Sequence, residues 1–469
     1  MTEYQLAPAA GAACSPQSRW KYVGFSCGRG HAASFCSSWQ QAADRLRGWG
    51  RPAGWSRLAG APQSIRATAI IHAPGPAPLM GGSANNCSAK WAMESGPKLL
   101  HRPELRMQPS VEELASIKTP ALVCSFASEM HPLYEQVRAP SDRWIEAVAE
   151  LPTAAARRFL RDCLLPRLVC RFIPQALPAG RRLPQAIQLI AWLMIADDDD
   201  DNPEVLGCNY GATSYRAERI MSILTQPADA FHDHRLWNFD LLNGRISMRC
   251  SRQLAALADL WRELSPAMSP LLRSRFTSSM ADYLDGIKMQ AVLRKAGQVP
   301  DMKSYMAIRR QASFTIPAFI IAEYASGVEL DHAAVQNPKV VELCNKAVDY
   351  VSLCNDIFSC YKEILSGDYF NLPSILYMHA LPLREAARPC ASFQDAIDHV
   401  AELALELEAS CTSLIASLKE EYSKPDVDPL QAHHVHAYAN VISLGMSGAL
   451  AWFFETPRYP LPCTLDPLN

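Results

Sequence analysis

Asn355, Ser359 and Glu363 are spaced four residues apart within Asn355-Asp-Ile-Phe-Ser359-Cys-Tyr-Lys362-Glu363. On an α-helix each four-residue step drifts only about 40°, so an amide oxygen, a hydroxyl and a carboxylate line one face over two turns. That is a ligand set for a hard, oxygen-loving divalent cation such as Mg²⁺. Lys362, beside the last ligand, adds a positive charge that could reach an anion held by such a cation. The bland alternative is a polar face in water. The flanking Val348, Val351, Leu353, Ile357 and Phe358 argue instead for a largely buried helix.

A second acidic group follows the apolar stretch Leu189–Ala196: five consecutive aspartates, Asp197–Asp201, then Asn202-Pro203. The spacing predicts a helix over 183–196 that delivers these acids at its C-terminal end, with Pro203 forcing the stop. Carboxylates there oppose the helix dipole and repel one another, so something positive must offset them. Asp197 and Asp201, one turn apart, face the same way and could jointly hold divalent cations; the alternative is an exposed acidic loop. A calcium EF-hand loop fits poorly, because counting from Asp197 position six is Asn202 and position twelve is Cys208. The apolar residues leading into the acids place them at the mouth of a greasy interior.

These sites need a scaffold. The chain has 469 residues, 49% hydrophobic and 20% charged, enough for a large core. Residues 1–93 hold nine Lys/Arg against two acids, so the remainder is acidic, which speaks against nucleic-acid binding. Residues 1–106 are rich in Gly, Ala, Ser and Pro and show no sustained period. They read as a disordered tail or as sequence foreign to the folded unit, with Met107 a natural start; an organellar transit peptide is the alternative.

From Ser110 onward, three- and four-residue apolar spacing predicts helices over 142–151, 154–165, 183–196, 217–224, 252–264, 270–291, 303–325, 337–365, 393–420 and 431–454. The expectation is one all-α bundle over 107–469. Fifteen cysteines without a CxxC pair predict scattered reduced thiols in an intracellular protein. The longest apolar runs considered, Leu189–Ala196 and Phe314–Ala322, are too short to span a bilayer, which predicts a soluble protein without stable membrane insertion. His433-His434-x-His436 and His232-Asp233-His234 lack partners at zinc spacing. No GxSxG, P-loop or GxGxxG context is present.

An aspartate-rich site and an Asn/Ser/Glu site in one helical bundle resemble a class I terpene synthase, over about residues 126–459. The wording NDIxSxxKE is similar to fungal sesquiterpene synthases. The resemblance implies a single-domain class I terpenoid synthase bundle around an apolar pocket. It implies metal binding by Asp197, Asp198 and Asp201 and by Asn355, Ser359 and Glu363, with three Mg²⁺ ions. Arg309, within Tyr305-Met-Ala-Ile-Arg-Arg, stands where the family has its diphosphate sensor and, with Lys362, is assigned a catalytic role. Arg458-Tyr459 resembles the family's closing pair, completing a diphosphate-binding set of Arg309, Lys362, Arg458 and Tyr459. Met130-His-Pro-Leu-Tyr-Glu is similar to the opening segment. Family members often have a Thr and a Gly where this chain has Ala312, Ser313 and Phe314.

The implied reaction is cyclisation of farnesyl diphosphate to a sesquiterpene with release of diphosphate. Geranyl or geranylgeranyl diphosphate, or a catalytically inactive binding protein on this fold, are the alternatives. A chain-elongating prenyl transferase would carry a second Asp-rich motif in place of Asn355, Ser359 and Glu363. Trp192, Phe172, Phe319 and Trp452 are candidates for the pocket wall, where aromatic faces attract a carbocation. A cytoplasmic monomer or homodimer is expected.

Overall fold

The computed structural model describes residues 109–459 except 111, 112, 115, 176–180, 204, 227–243 and 381–391, all within one compact unit spanning 86–465. The expected extension, residues 1–106, lies outside the described residues. Fourteen α-helices are described: α1 Tyr134–Ala149, α2 Ala154–Asp162, α3 Leu165–Phe172, α4 Arg182–Asp201, α5 Tyr210–Thr225, α6 Gly244–Leu264 and α7 Pro270–Ala296. They continue as α8 Met302–Ala312, α9 Thr315–Ser326, α10 His332–Gln336, α11 Pro338–Ser366, α12 Leu372–Ala380, α13 Phe393–Glu421 and α14 Pro429–Glu455. Among the described residues there is no extended strand. The architecture is the expected all-α bundle.

Local chemistry sets the ends of the helices that carry the site. Ser269 accepts from Leu272 N to cap α7, with Pro270 at the first helical position and Gly297 (φ 61°) closing the other end. Asn337 caps α11 ahead of Pro338, and Gly367 (φ 83°) ends it. The left-handed backbone at Gly367 is open to glycine at little cost.

The expected helix over 303–325 is split by a proline, and the one over 154–165 stops early, at Asp162. A proline ring clashes with the carbonyl four residues back. Pro317 therefore breaks 303–325 at Ser313, which is extended (ψ 124°) between α8 and α9. Pro166 likewise separates α2, ending at Asp162, from α3. Helix α4 is longer than expected: the five aspartates form its last turns instead of following it. Helices α3, α10 and α12 have no counterpart among the helices expected from the sequence.

Helices α4, α7, α8, α9, α11 and α14 surround the interior, and α13 packs along α11 from outside. Helix α4 is buried on nearly every face from Leu183 to Ala196. Helix α14 is long and apolar enough to cross a membrane, a property missed in the sequence, but 78% of its apolar window is buried inside the protein. It is a core helix. Close packing of α14 on α3 is possible because Gly448 faces the backbone of Arg171, where a Cβ would lie 2.2 Å from the carbonyl oxygen. None of the described cysteines forms a disulfide.

Candidate functional site

One cavity enters the bundle beside the ends of α4 and α11. The space between its walls, open mouth included, is about 980 Å³. Its mouth brings together Asp197, Asp198 and Asp201 of α4, Arg309 of α8, and Asn355, Lys362 and Glu363 of α11. Arg458 and Tyr459, just beyond α14, complete the rim. Deeper, the wall is apolar, with Leu168, Phe172, Ile190, Met194, Phe453 and Trp452.

The acidic turn divides by helical phase. Asp199 and Asp200 point away from the cavity and are 4% exposed. Asp200 accepts from Arg216 Nη1 at 2.9 Å, and Arg216 Nη2 reaches Gln253 Oε1 at 3.0 Å. Asp199 is paired with Arg249 and accepts from Gln253 Nε2 at 2.9 Å. Burial works against the charge on Arg216, but Asp200 outweighs it and holds the guanidinium above its ordinary pKa. Burial in turn pushes the Asp200 carboxyl up to about 7 against the pull of Arg216. The guanidinium cannot shed its proton, so Asp200 meets a fixed positive charge at 2.9 Å.

The other three acids face the mouth. Asp198, half-exposed, takes both terminal nitrogens of Arg458 at 2.6 and 3.0 Å, with Lys362 Nζ at 3.6 Å. Desolvation alone would raise its pKa; Arg458 and Lys362 overcome this and hold the carboxyl at about 2. Asp201 accepts from Arg294 at 2.7 Å. Among the described residues, Asp197 accepts only from Tyr283 OH, at 3.4 Å. Burial, and then the charge of Asp201, lift it well above the usual carboxylate range. The predicted positive counterweight to the aspartates is thus five separate side chains, none adjacent in sequence to the motif.

On α11, Asn355 Oδ1 accepts from Arg309 Nη2 at 2.7 Å, and its Nδ2 donates to Tyr459 OH at 3.0 Å. Arg458 Nε donates to the same hydroxyl at 3.2 Å. Arg309 Nε also binds Asp356 at 3.0 Å, whereas Arg310 turns away to Asp349. Glu363 accepts from Asn371 Nδ2 at 2.9 Å. Burial, with Asp368 and Asp356 nearby, pushes its carboxyl up to about 7. Ser359, 1% exposed, lies on α11 between Asn355 and Glu363 but does not line the cavity in its present rotamer.

These donors fit a hard divalent cation. Among the described residues Ser359 Oγ is buried without a hydrogen-bond partner, and such a group is costly unless something binds it. Burial first, and then neighbouring carboxylates, raise the pKa values of Asp197 and Glu363, and a bound cation would favour the ionised form of both. Among the described residues no three His, Cys, Asp or Glu side chains are arranged to hold an ion by themselves. The oxygens of Asn355, Ser359 and a bound anion would complete the shell, as is common for Mg²⁺.

Two of the four aromatic candidates are misplaced by the sequence reading. Phe172 and Trp452 line the cavity; Trp192 and Phe319 do not. Trp192 lies on the far side of α4 and donates its indole N–H to Gln253 O at 2.8 Å. Phe319 sits behind Phe172, ring centroids 5.1 Å apart, with Gly445 leaving room for both. Phe314, noted only as a departure from the family pattern, lines the wall because the α8–α9 break presents it there. Arg216, Arg249, Arg294, Asp356, Asp368 and Asn371 escaped the sequence reading. Each acts through a partner dozens of residues away or across a turn, and no periodicity marks such pairs.

Residues 233–409 match a family model described as terpene synthase family 2, C-terminal metal binding. Microbial Terpene synthase-like protein 13 of Selaginella moellendorffii is 26% identical over 74% of this chain and 88% of its own length. Alpha-muurolene synthase of Coprinopsis cinerea is 26% identical over 74% and 75%, and sesquiterpene synthase Agr3 of Cyclocybe aegerita 26% over 72% and 86%. Among solved structures, germacradien-4-ol synthase from Streptomyces citricolor superposes with a TM-score of 0.58 at 20% identity, covering 72% of this chain and 99% of that one. For α-eudesmol synthase the TM-score is 0.59 at 17% identity, covering 71% and 99%.

Proposed function

We propose that this chain, which has the class I terpene synthase fold and is a relative of fungal sesquiterpene synthases, ionises and cyclises farnesyl diphosphate. The product is a sesquiterpene, and diphosphate is released. The observation that carries this reading is a mouth of alternating acids and cations set over an apolar, aromatic-walled cavity. A prenyl diphosphate has the same division: a multiply charged head and a long hydrocarbon tail. The catalytic body is residues 107–469.

Arg309, Arg458, Lys362 and Tyr459 bind the diphosphate by charge-assisted hydrogen bonds, the arginines able to do so with two nitrogens each. Arg458 and Lys362 are held on Asp198 without substrate, so an arriving diphosphate takes over donors already aimed at the mouth. Arg309 is fixed by Asp356 and Asn355, which leaves its remaining N–H groups for the anion. Preorganised charge of this kind stabilises the leaving diphosphate as the C–O bond breaks. Asp197, Asp201, Asn355, Ser359 and Glu363, with Asp198 at the rim, would hold Mg²⁺, which when bound supplies Lewis-acid withdrawal of charge from the diphosphate oxygens.

Phe172, Phe314, Phe370 and Trp452 face the space where the allylic cation would fold. Their ring faces contribute about 0.5–2 kcal/mol each toward a positive carbon, and the apolar wall keeps water away. The test is incubation of the full chain with Mg²⁺ and, separately, geranyl, farnesyl and geranylgeranyl diphosphate, followed by gas chromatography of the volatiles. A cyclic C15 product from farnesyl diphosphate is expected. Folded protein that yields no terpene from any of the three would refute the reading.

A further inference from the structure

The short connection from Gly367 to Leu372, between α11 and α12, contributes only Phe370 to the cavity lining. Yet it touches nearly every wall of the mouth from behind. Asp368, 4% exposed, accepts from Arg294 Nε at 3.1 Å and Nη2 at 2.9 Å. The same Nη2 donates to Asp201 at 2.7 Å, so one guanidinium joins the acidic end of α4 to this connection. Arg294 also lies over the ring of Phe370, 5.1 Å from its centroid. Three residues on from Asp368, Asn371 is completely buried, and its Nδ2 donates to Glu363 Oε2 at 2.9 Å. At the end of the connection, Leu372 N donates to Asp356 Oδ2 at 3.0 Å, the carboxylate whose other oxygen holds Arg309.

The two acidic walls stand on different helices, and the bundle packing alone leaves their carboxylates free to turn. Arg294, Asp368 and Asn371 remove that freedom. Asp201 and Glu363 are tied to the two ends of one four-residue stretch, Asp368–Asn371, whose backbone is itself fixed by Asp368 N donating to Glu363 O at 2.9 Å. None of the three lines the cavity. They touch the carboxylates and not the space where substrate would sit.

We infer that Arg294, Asp368 and Asn371 form a brace that sets the separation and orientation of Asp201 and Glu363, making all three positioning residues for the ion–diphosphate site. The inference rests on the proposed function of that site. Partners that orient metal ligands from behind typically affect metal affinity by about 10–100-fold. The brace also explains two fully buried charges, Arg294 and Asp368, that packing by itself would replace with apolar residues.

The test is calorimetry of the full chain with Mg²⁺ and inorganic diphosphate, comparing wild type with Asn371→Ser and Asp368→Asn. Serine keeps an oxygen for Ser374 N, which Asn371 Oδ1 now accepts at 2.9 Å to start α12, but is too short to reach Glu363. Each variant should require about 10–100-fold more Mg²⁺ for diphosphate to bind, with unchanged far-UV circular dichroism and full diphosphate stoichiometry restored at saturating Mg²⁺. Partial unfolding would instead lower the stoichiometry at every Mg²⁺ concentration. If Asp368→Asn does not fold, Asn371→Ser decides alone. Folded variants that bind within twofold of wild type overturn the brace. Wild-type protein that binds no diphosphate with Mg²⁺ overturns the site reading as well, a result distinct from the first.

Discussion

Replacing Arg216 by methionine tests whether the five aspartates divide into structural and site-facing groups. Arg216 is 1% exposed and Asp200 4%, so the variant leaves a carboxylate with neither water nor a counterion. It also strips the partner from Gln253 Oε1. Breaking a buried pair on one side costs about 3–5 kcal/mol, a large part of the roughly 5–15 kcal/mol that holds a folded domain. With a urea slope of about 3 kcal/mol/M, the unfolding midpoint followed by circular dichroism should fall by more than about 1 M. Asp200→Leu combined with Arg216→Met removes both charges and should recover all but about 1 kcal/mol, the worth of the lost Gln253 contact. Asp200 does not line the cavity, so the double variant should still bind Mg²⁺ with diphosphate. A single variant as stable as wild type, or a stable double variant that no longer binds, would refute the division.

Asn355→Ala and Glu363→Ala should abolish turnover with the helical spectrum intact. Ser359→Ala should lose affinity for Mg²⁺ with diphosphate while its metal-free stability stays level or rises by up to about 1 kcal/mol, because the hydroxyl it removes has no partner; a clearly destabilised Ser359→Ala would contradict this. The raised carboxyls of Glu363, at about 7, and Asp197 make the folded protein hold more protons than the unfolded chain from about pH 4 to 7. Metal-free stability should therefore be greatest at the acidic side of that window and fall as pH rises through it, by about 1.4 kcal/mol per pH unit per proton. Melting in a chelator at pH 5.5 and 7.5 checks the sign, and a higher midpoint at 7.5 would contradict it. Asp198, held at about 2, stays ionised throughout and does not alter this trend. Gly448→Ala should destabilise more than Gly445→Ala, because its Cβ meets the backbone of Arg171 whereas that at 445 meets the movable rings of Phe319 and Phe172. Thermal melts that reverse this order would show that α14 can shift away from α3.

The sequence by itself determined the helices that carry the chemistry and most of the residues at the mouth. A cation site built on one helix is a matter of spacing, so Asn355, Ser359 and Glu363 could be read from position alone, as could the acids delivered at the end of an apolar helix. The α8–α9 break was also legible, since Pro317 cannot extend a helix through Ser313. Tertiary structure alone decided which way each side chain of a repeated type points. Asp199 and Asp200 turn inward to Arg216 and Arg249 while their three neighbours face the cavity, and Trp192 lies behind α4 while Trp452 lines the pocket. Those outcomes depend on helix phase against partners tens to hundreds of residues distant, such as Arg294 with Asp201 and Arg458 with Asp198. Local periodicity fixes a face on its own helix; only packing determines what that face meets.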